Sequence, residues 1–256
     1  MTTSMTESTT NRAGIVKLWL LNFVANAALL VAAYFWLLIP EARGWQVAGS
    51  ALLAVVVVVL VLWLRAGTLA WFRIAEFRKQ GTVWRAYRHA IRHVPALGIW
   101  VLVFVAVAWM LWSLHGYVPQ FAVWIRQKLG DGPSPRNIMN DLNWLLLLLV
   151  GFVMPALWVP IATTVSAVGF QPEHIVRSRR AWKRPLYWLY FCLLLGVGIY
   201  VPYKLVWWIP DLQTFRQQSW SMGLRFLLAY VIGITAFMAV VWMTALHTDH
   251  EDPLSI

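Results

Sequence analysis

Acidic residues are scarce in this sequence and missing from its apolar stretches. The ten Asp and Glu residues are Glu7, Glu41, Glu76, Asp131, Asp141, Glu173, Asp211, Asp249, Glu251 and Asp252, and none falls in the core of a long apolar run. Ion-coupled carriers and intramembrane aspartyl or metal-dependent proteases use a carboxylate buried at membrane depth, so these classes are disfavoured. Cysteine is almost absent too. With Cys192 alone, an intramolecular disulfide is excluded and so is a thiolate metal site; within an apolar run a lone Cys is expected to act as a small apolar side chain. There is no Gly-rich phosphate loop, zinc metalloprotease motif or credible Ser/His/Asp set. No catalytic residue is assigned, and no cofactor is expected.

Apolar length is abundant. A hydrocarbon core of about 30 Å takes about 20 apolar residues per helix. Six stretches meet this, at roughly 15–39, 46–72, 96–114, 143–168, 186–208 and 223–246. The chain is 61% hydrophobic and 12% charged, with a mean hydropathy of +0.65. These features predict an all-α, polytopic integral membrane protein with six transmembrane helices. The expected organisation is a disordered polar N-terminus at 1–13, a six-helix transmembrane domain at 14–246 and a short acidic, His-containing tail at 247–256. Arg12 and Lys17 give only a thin positive flank, and the run behind them exceeds the about 7–15 residues of a signal-peptide core. The first stretch therefore reads as a retained span.

Of the 18 Trp residues, Trp36, Trp45, Trp71, Trp100, Trp112, Trp124, Trp144, Trp207, Trp208 and Trp220 lie near expected helix ends. Interfacial anchoring is the expected role, because the ring is apolar and its N–H prefers water.

The net charge of +11 is unevenly placed. The connection 65–94 carries Arg65, Arg73, Arg78, Lys79, Arg85, Arg88 and Arg92 against Glu76, a net +6. The connection 169–185 carries Arg177, Arg179, Arg180, Lys183 and Arg184 against Glu173, a net +4. Six spans put both connections on one side with both termini, and the positive-inside rule makes that side cytoplasmic. Topology thus accounts for the basic charge, and nucleic acid is not an expected partner. A bilayer with anionic headgroups is the expected partner, along with other membrane-protein subunits.

A parallel internal repeat is also expected, over about 45–125 and 143–209. Tyr117-Val118-Pro119 precedes Trp124 by the same spacing with which Tyr200-Val201-Pro202 precedes Trp207. Each copy has a basic segment, then Pro95 or Pro185, then an apolar helix. Both copies run the same way, unlike the inverted repeats of many carriers. Interfacial amphipathic helices are expected at 74–94, 119–129 and 172–184. In the first, Trp84, Tyr87 and Ile91 should form one face and Arg85, Arg88, His89 and Arg92 the other. Arg85, Arg88, Arg92, Arg177, Arg180 and Arg184 are the candidate contacts to anionic lipid or an acidic partner.

The second basic connection carries a resemblance. Gly169-Phe170-Gln171-Pro172, then Arg177-Ser178-Arg179-Arg180-Ala181-Trp182, resembles a pattern in bacterial six-helix membrane families. These include the membrane domain attached to some glycerophosphodiester phosphodiesterases. The pattern often has an acidic residue before the Gly, where this chain has Ala167-Val168. The phosphodiesterase catalytic domain is absent, so its activity is not carried over; the resemblance implies an accessory membrane domain of unassigned role, in a bacterial inner membrane.

Polar residues inside the spans are the remaining candidates. Asn22 and Asn26 are four apart, hence on one helix face. Thr163, Thr164 and Ser166 follow Pro155 and Pro160, where a proline can open the helix. Interhelical hydrogen bonding is the first reading; a polar ligand site of Asn22, Asn26, Thr163 and Thr164 is the second. His89 and His93 are four apart but lie among Arg88 and Arg92, which repel a cation. The tail with His247, Asp249, His250, Glu251 and Asp252 has metal-ligand types at loose spacing, and His115 closes the third stretch. No metal is expected. A non-catalytic accessory, scaffold or assembly subunit is the expected function. An uncoupled permease-like or lipid-handling protein is the alternative, with a membrane enzyme third.

Overall fold

The computed structural model describes residues 2–40, 43–130, 133–210 and 214–249. The chain is 91% helical, with no strand among the described residues. Six helices are long and apolar enough to cross a membrane: Arg12–Leu37, Gly44–Arg73, Val94–Leu129, Pro135–Val168, Pro185–Trp207 and Phe215–Leu246. α1 (Thr2–Leu37) also takes in the polar leader, where composition suggested disorder. α2 (Gly44–Arg73) is helical through the valine run 55–59. Such β-branched residues are indifferent helix formers in water. In hydrocarbon every backbone polar group must be satisfied within its own segment, and that requirement overrides propensity.

The middle spans are composite. In the third, α5 (Val94–Ser113) passes through a 3₁₀ turn at Leu114–Tyr117 into α6 (Val118–Leu129). The segment expected as a separate helix at 119–129 is thus a continuation of the third span. The fourth joins α7 (Pro135–Leu148) to α8 (Met154–Val168) through a π-helical turn at Leu149–Val153. α9 (Pro172–Ser178) and a 3₁₀ segment at Arg179–Lys183 make up the second basic connection. The fifth span joins α10 (Pro185–Leu195) to α11 (Val201–Trp207) through a π-helical turn at Gly196–Tyr200. Each irregular segment, the Arg179–Lys183 turn included, ends two residues before a proline: Pro119, Pro155, Pro185 or Pro202. A proline ring cannot donate to the carbonyl four residues back and presses against it; a change of helical pitch just upstream relieves that contact. The two Tyr-Val-Pro shoulders therefore share sequence but differ in geometry, one following a 3₁₀ turn and the other a π turn. α12 (Phe215–Asp249) is continuous.

The chain divides into two compact units, residues 98–159 and residues 1–97 with 160–256. In the smaller unit α6 packs on α7. Trp158 Nε1 donates to the Trp100 carbonyl at 3.4 Å, and its ring meets Phe104 at 5.1 Å. In the larger unit α2 packs on α4 (Val83–Ile91) and α1, while α12 packs on α10, α11 and α1. Its core includes Leu18, Trp71, Phe72, Ile74, Tyr187, Phe191 and Val241.

Burial runs opposite to that of a water-soluble protein. Large apolar side chains such as Leu37, Leu52, Leu102, Trp109 and Leu189 face outward, while Asn22, Thr68, Arg73, Thr163, Thr164, Ser166 and Thr244 are buried. Hydrocarbon solvates the former and not the latter. Cys192 is exposed on this outer face. Trp45, Trp124, Trp207, Trp208 and Trp220 are exposed near helix ends, where anchoring is expected; Trp144 is exposed too but lies well inside the fourth span, which begins at Pro135 rather than near 143. Trp71 departs from that expectation: it is fully buried, packed 5.0 Å from Phe72. Trp36 Nε1 donates to Ser50 Oγ at 2.9 Å.

Candidate functional site

The two basic connections meet at one end of the larger unit. His89 Nε2 lies 2.7 Å from the Ala167 carbonyl, joining α4 to the end of α8. A Cβ on Gly169, whose φ is +75°, would stand 3.2 Å from His93 Nδ1. A Cβ on Gly14 in α1 would stand 3.1 Å from Gly81 Cα, just past α3 (Ala75–Gln80). Tyr187, at the start of α10, is hydrogen-bonded to Thr244 near the end of α12. The start of α1, both basic connections and the end of α12 thus share one end, as an even number of spans requires. Burial holds His93 below the usual imidazole range, helped by the neighbouring His89 and Arg92.

α4 turns inward with Ala86, Tyr87 and Ala90. The face expected from the sequence is therefore split: Tyr87 is buried, whereas Trp84 and Ile91 are exposed. Arg85, Arg88 and Arg92 are exposed, as are Arg177 and Arg180, with Arg184 half-buried. Arg85 donates to Gln80 Oε1 at 3.2 Å, and Gln80 donates to Glu76 at 2.9 Å. The Arg88 guanidinium sits 5.9 Å over the Trp84 ring.

Above this end, α1, α2 and α4 are tied by a buried polar knot. Asn22 Nδ2 donates to Thr68 Oγ1 at 3.0 Å and to the Leu18 carbonyl at 3.0 Å, with Tyr87 Oη at 3.5 Å. The Thr68 hydroxyl lies 2.9 Å from Tyr87 Oη, 3.2 Å from Asn22 Oδ1 and 2.8 Å from the Leu64 carbonyl. Trp63 Nε1 donates to the Tyr87 carbonyl at 3.0 Å. Burial is the main reason the Tyr87 phenol is pushed up to about 12; its bonds to Thr68 and Asn22 and the nearby Arg65 charge oppose the shift. One turn further along α1, Asn26 Nδ2 donates to the Asn22 carbonyl at 2.6 Å, and Asn26 Oδ1 accepts from Arg65 Nη2 at 2.8 Å. The Arg65 guanidinium carbon also rests over the Phe237 ring of α12, 4.4 Å from its centroid. No carboxylate pairs with Arg65 among the described residues.

Thr163 and Thr164 are equally buried but are spent elsewhere. Both hydroxyls donate to the Pro160 carbonyl, at 2.7 and 3.1 Å, and Ser166 donates to the Ala162 carbonyl at 2.7 Å. Among the described residues neither asparagine bonds to either threonine. So the structure brings Asn22 and Asn26 together and keeps Thr163 and Thr164 as a separate, self-satisfied pair.

Sequence reasoning missed Arg65, Thr68 and Tyr87. Arg65 reads from sequence as part of a basic connection, but α2 runs on for eight residues beyond it. The available signal was spacing. Arg65 and Thr68 are three apart in α2, as Asn22 and Asn26 are four apart in α1, so each helix carries one polar stripe.

Three of the open clefts formed by described residues bear on the site. One, ≈ 390 Å³, is lined by Val206, Pro210, Phe215 and Arg225; another, ≈ 410 Å³, by Leu114, Tyr117, Phe121 and Trp124. The third, ≈ 430 Å³, lies between α1 and the α3–α4 turn. None of the three is lined by Asn22, Asn26, Thr163 or Thr164. Among the described residues no three His, Cys, Asp or Glu side chains converge as metal ligands; the tail from residue 250 lies outside the described residues. No family model, characterised protein or solved structure matches this chain.

Proposed function

We propose that this protein is a non-catalytic integral membrane subunit, a scaffold or assembly partner, of a bacterial inner membrane. Both termini and the two basic connections face the cytoplasm. The observation that carries this reading is how the buried polar groups are used. Asn22 and Thr68, in two spans, bond to each other and to Tyr87 of α4, the chemistry of helix association in a membrane. Thr163, Thr164 and Ser166 bond to carbonyls of their own helix and offer nothing to a ligand. The resemblance of residues 168–184 to accessory membrane domains supports the same reading. The basic faces of the two connections are the docking surface for an acidic partner.

The test is purification of the full chain in nanodiscs followed by native mass spectrometry. A stoichiometric protein partner that is lost when Arg177, Arg180 and Arg184 are changed to Glu is the expected result. Retention of a small molecule with no protein partner would overturn it. One observation favours a second reading, an uncoupled permease-like or lipid-handling protein. Arg65 is a cation at membrane depth with Asn26 and Phe237 for company and no carboxylate, and such residues often mark a path for an anion. On that reading, Asn22→Ala with Asn26→Ala weakens retention of the bound molecule.

A further inference from the structure

The ≈ 430 Å³ cleft at the basic end is built from two elements of opposite character. Lys17 and Leu21 line it from α1 and are four residues apart, so they share one face, charge toward the helix start and hydrocarbon beneath. The turn into α4 supplies Thr82, Trp84 and Arg85. No carboxylate lines the cleft, and Lys17 has no ion-pair partner among the described residues. Trp84 is 56% exposed, with its ring braced edge-on against Trp63 at 6.2 Å and covered by Arg88. Thr82 holds the N-cap position of α4 yet caps nothing; its buried Oγ1 has no hydrogen-bond partner among the described residues. The first-turn amides of α4 thus lack a side-chain cap and add positive potential on the same side as the two cations.

We infer that this cleft binds the headgroup of an anionic phospholipid. Lys17 and Arg85 take the phosphate, and Trp84 and Leu21 take the glycerol and upper acyl carbons. The geometry suits a lipid better than a free anion. The wall is charged at one edge and apolar at the other, and it sits where a span emerges, at the boundary of headgroup and hydrocarbon. A Trp ring belongs at that boundary, and Lys and Arg there reach outward along apolar stems. The inference shares Arg85 and the first basic connection with the subunit reading, but it adds Lys17 and Leu21 of α1 and is tested with lipid and no partner protein, so the two can fail separately.

The test uses delipidated full-length protein in a neutral detergent, titrated with phosphatidylglycerol or with phosphatidylcholine of the same acyl chains, and read by native mass spectrometry. Two cations at the headgroup should give the first phosphatidylglycerol an advantage of about 25-fold. Lys17→Gln with Arg85→Gln should reduce that advantage to about threefold or less, while Lys17→Arg with Arg85→Lys should retain most of it. Gln substitution at Arg126 and Lys128 should leave it intact. Equal affinity for the two lipids, or an advantage that survives Lys17→Gln/Arg85→Gln, would overturn the inference. So would equal loss in the Arg126/Lys128 variant, which would mean bulk charge, or displacement by matched inorganic phosphate, which would mean a free-anion site.

Discussion

The Tyr87 ring occupies the space that a side chain on Gly67 would need: its Cδ1 lies 2.5 Å from where a Cβ would stand. Glycine at 67 is therefore what lets α4 lie against α2 and bring the Tyr87 hydroxyl to Thr68. Gly67→Ala should destabilise the protein by about 1–3 kcal/mol through overpacking, despite alanine's better helix propensity. Gly49→Ala in the same helix meets nothing within 4 Å and should gain up to about 1 kcal/mol. Thermal unfolding of both variants in one detergent gives the comparison, and opposite signs are expected.

Tyr87 also makes stability depend on pH at the alkaline end. The fold favours the neutral phenol, raising its pKa from 10.0 to about 12. The stabilisation is fully present below pH about 10 and is lost as pH rises through 12, a difference on the order of 2–3 kcal/mol. Tyr87→Phe should cost about 1 kcal/mol at neutral pH and show a shallower fall in Tm between pH 10 and 12. Parallel curves for wild type and variant would show that the phenol does not stay neutral in the fold.

Arg65 and Asn26 should be energetically coupled. Their bond is 2.8 Å and half-buried, with the guanidinium also over the Phe237 ring. A double-mutant cycle with Arg65→Met and Asn26→Ala should give an interaction energy of about 1 kcal/mol. A value near zero would mean that the guanidinium is solvated independently of the asparagine.

Gly198, in the π turn of the fifth span, meets α12 closely enough that an added Cβ would stand 2.7 Å from the Ala236 Cβ. Gly198→Ala should lower stability by about 1–3 kcal/mol, and adding Ala236→Gly should restore most of it. Failure of that rescue would place the cost in the π turn rather than in the helix contact.

How much of this was readable beforehand follows from what each signal depends on. The spans were legible because bilayer thickness fixes their length, and runs such as 46–72 and 143–168 meet it without help from tertiary structure. Asn22 and Asn26 were legible because a spacing of four places them on one face. Arg65 was not, because a cation after a long apolar run looks like a boundary, and only packing against Asn26 and Phe237 lets the helix continue past it. Tyr87 was not, because a helical pattern gives faces but not which one points inward; Gly67 in a different helix decides that. The π turns were hidden for a similar reason: Pro155 and Pro202 announce a disturbance but not whether the preceding turn widens or tightens, as Pro119 shows by following a 3₁₀ turn.

Everything proposed about partner and lipid depends on both basic connections facing the cytoplasm. In a Cys192→Ser background, single cysteines at Gly44, Lys79, Lys183 and Ser219 can be probed with a membrane-impermeant maleimide in spheroplasts and after lysis. The expected result is labelling at 44 and 219 from outside, and at 79 and 183 only after lysis. Labelling of 79 or 183 in intact spheroplasts, or different sidedness for those two, would contradict it.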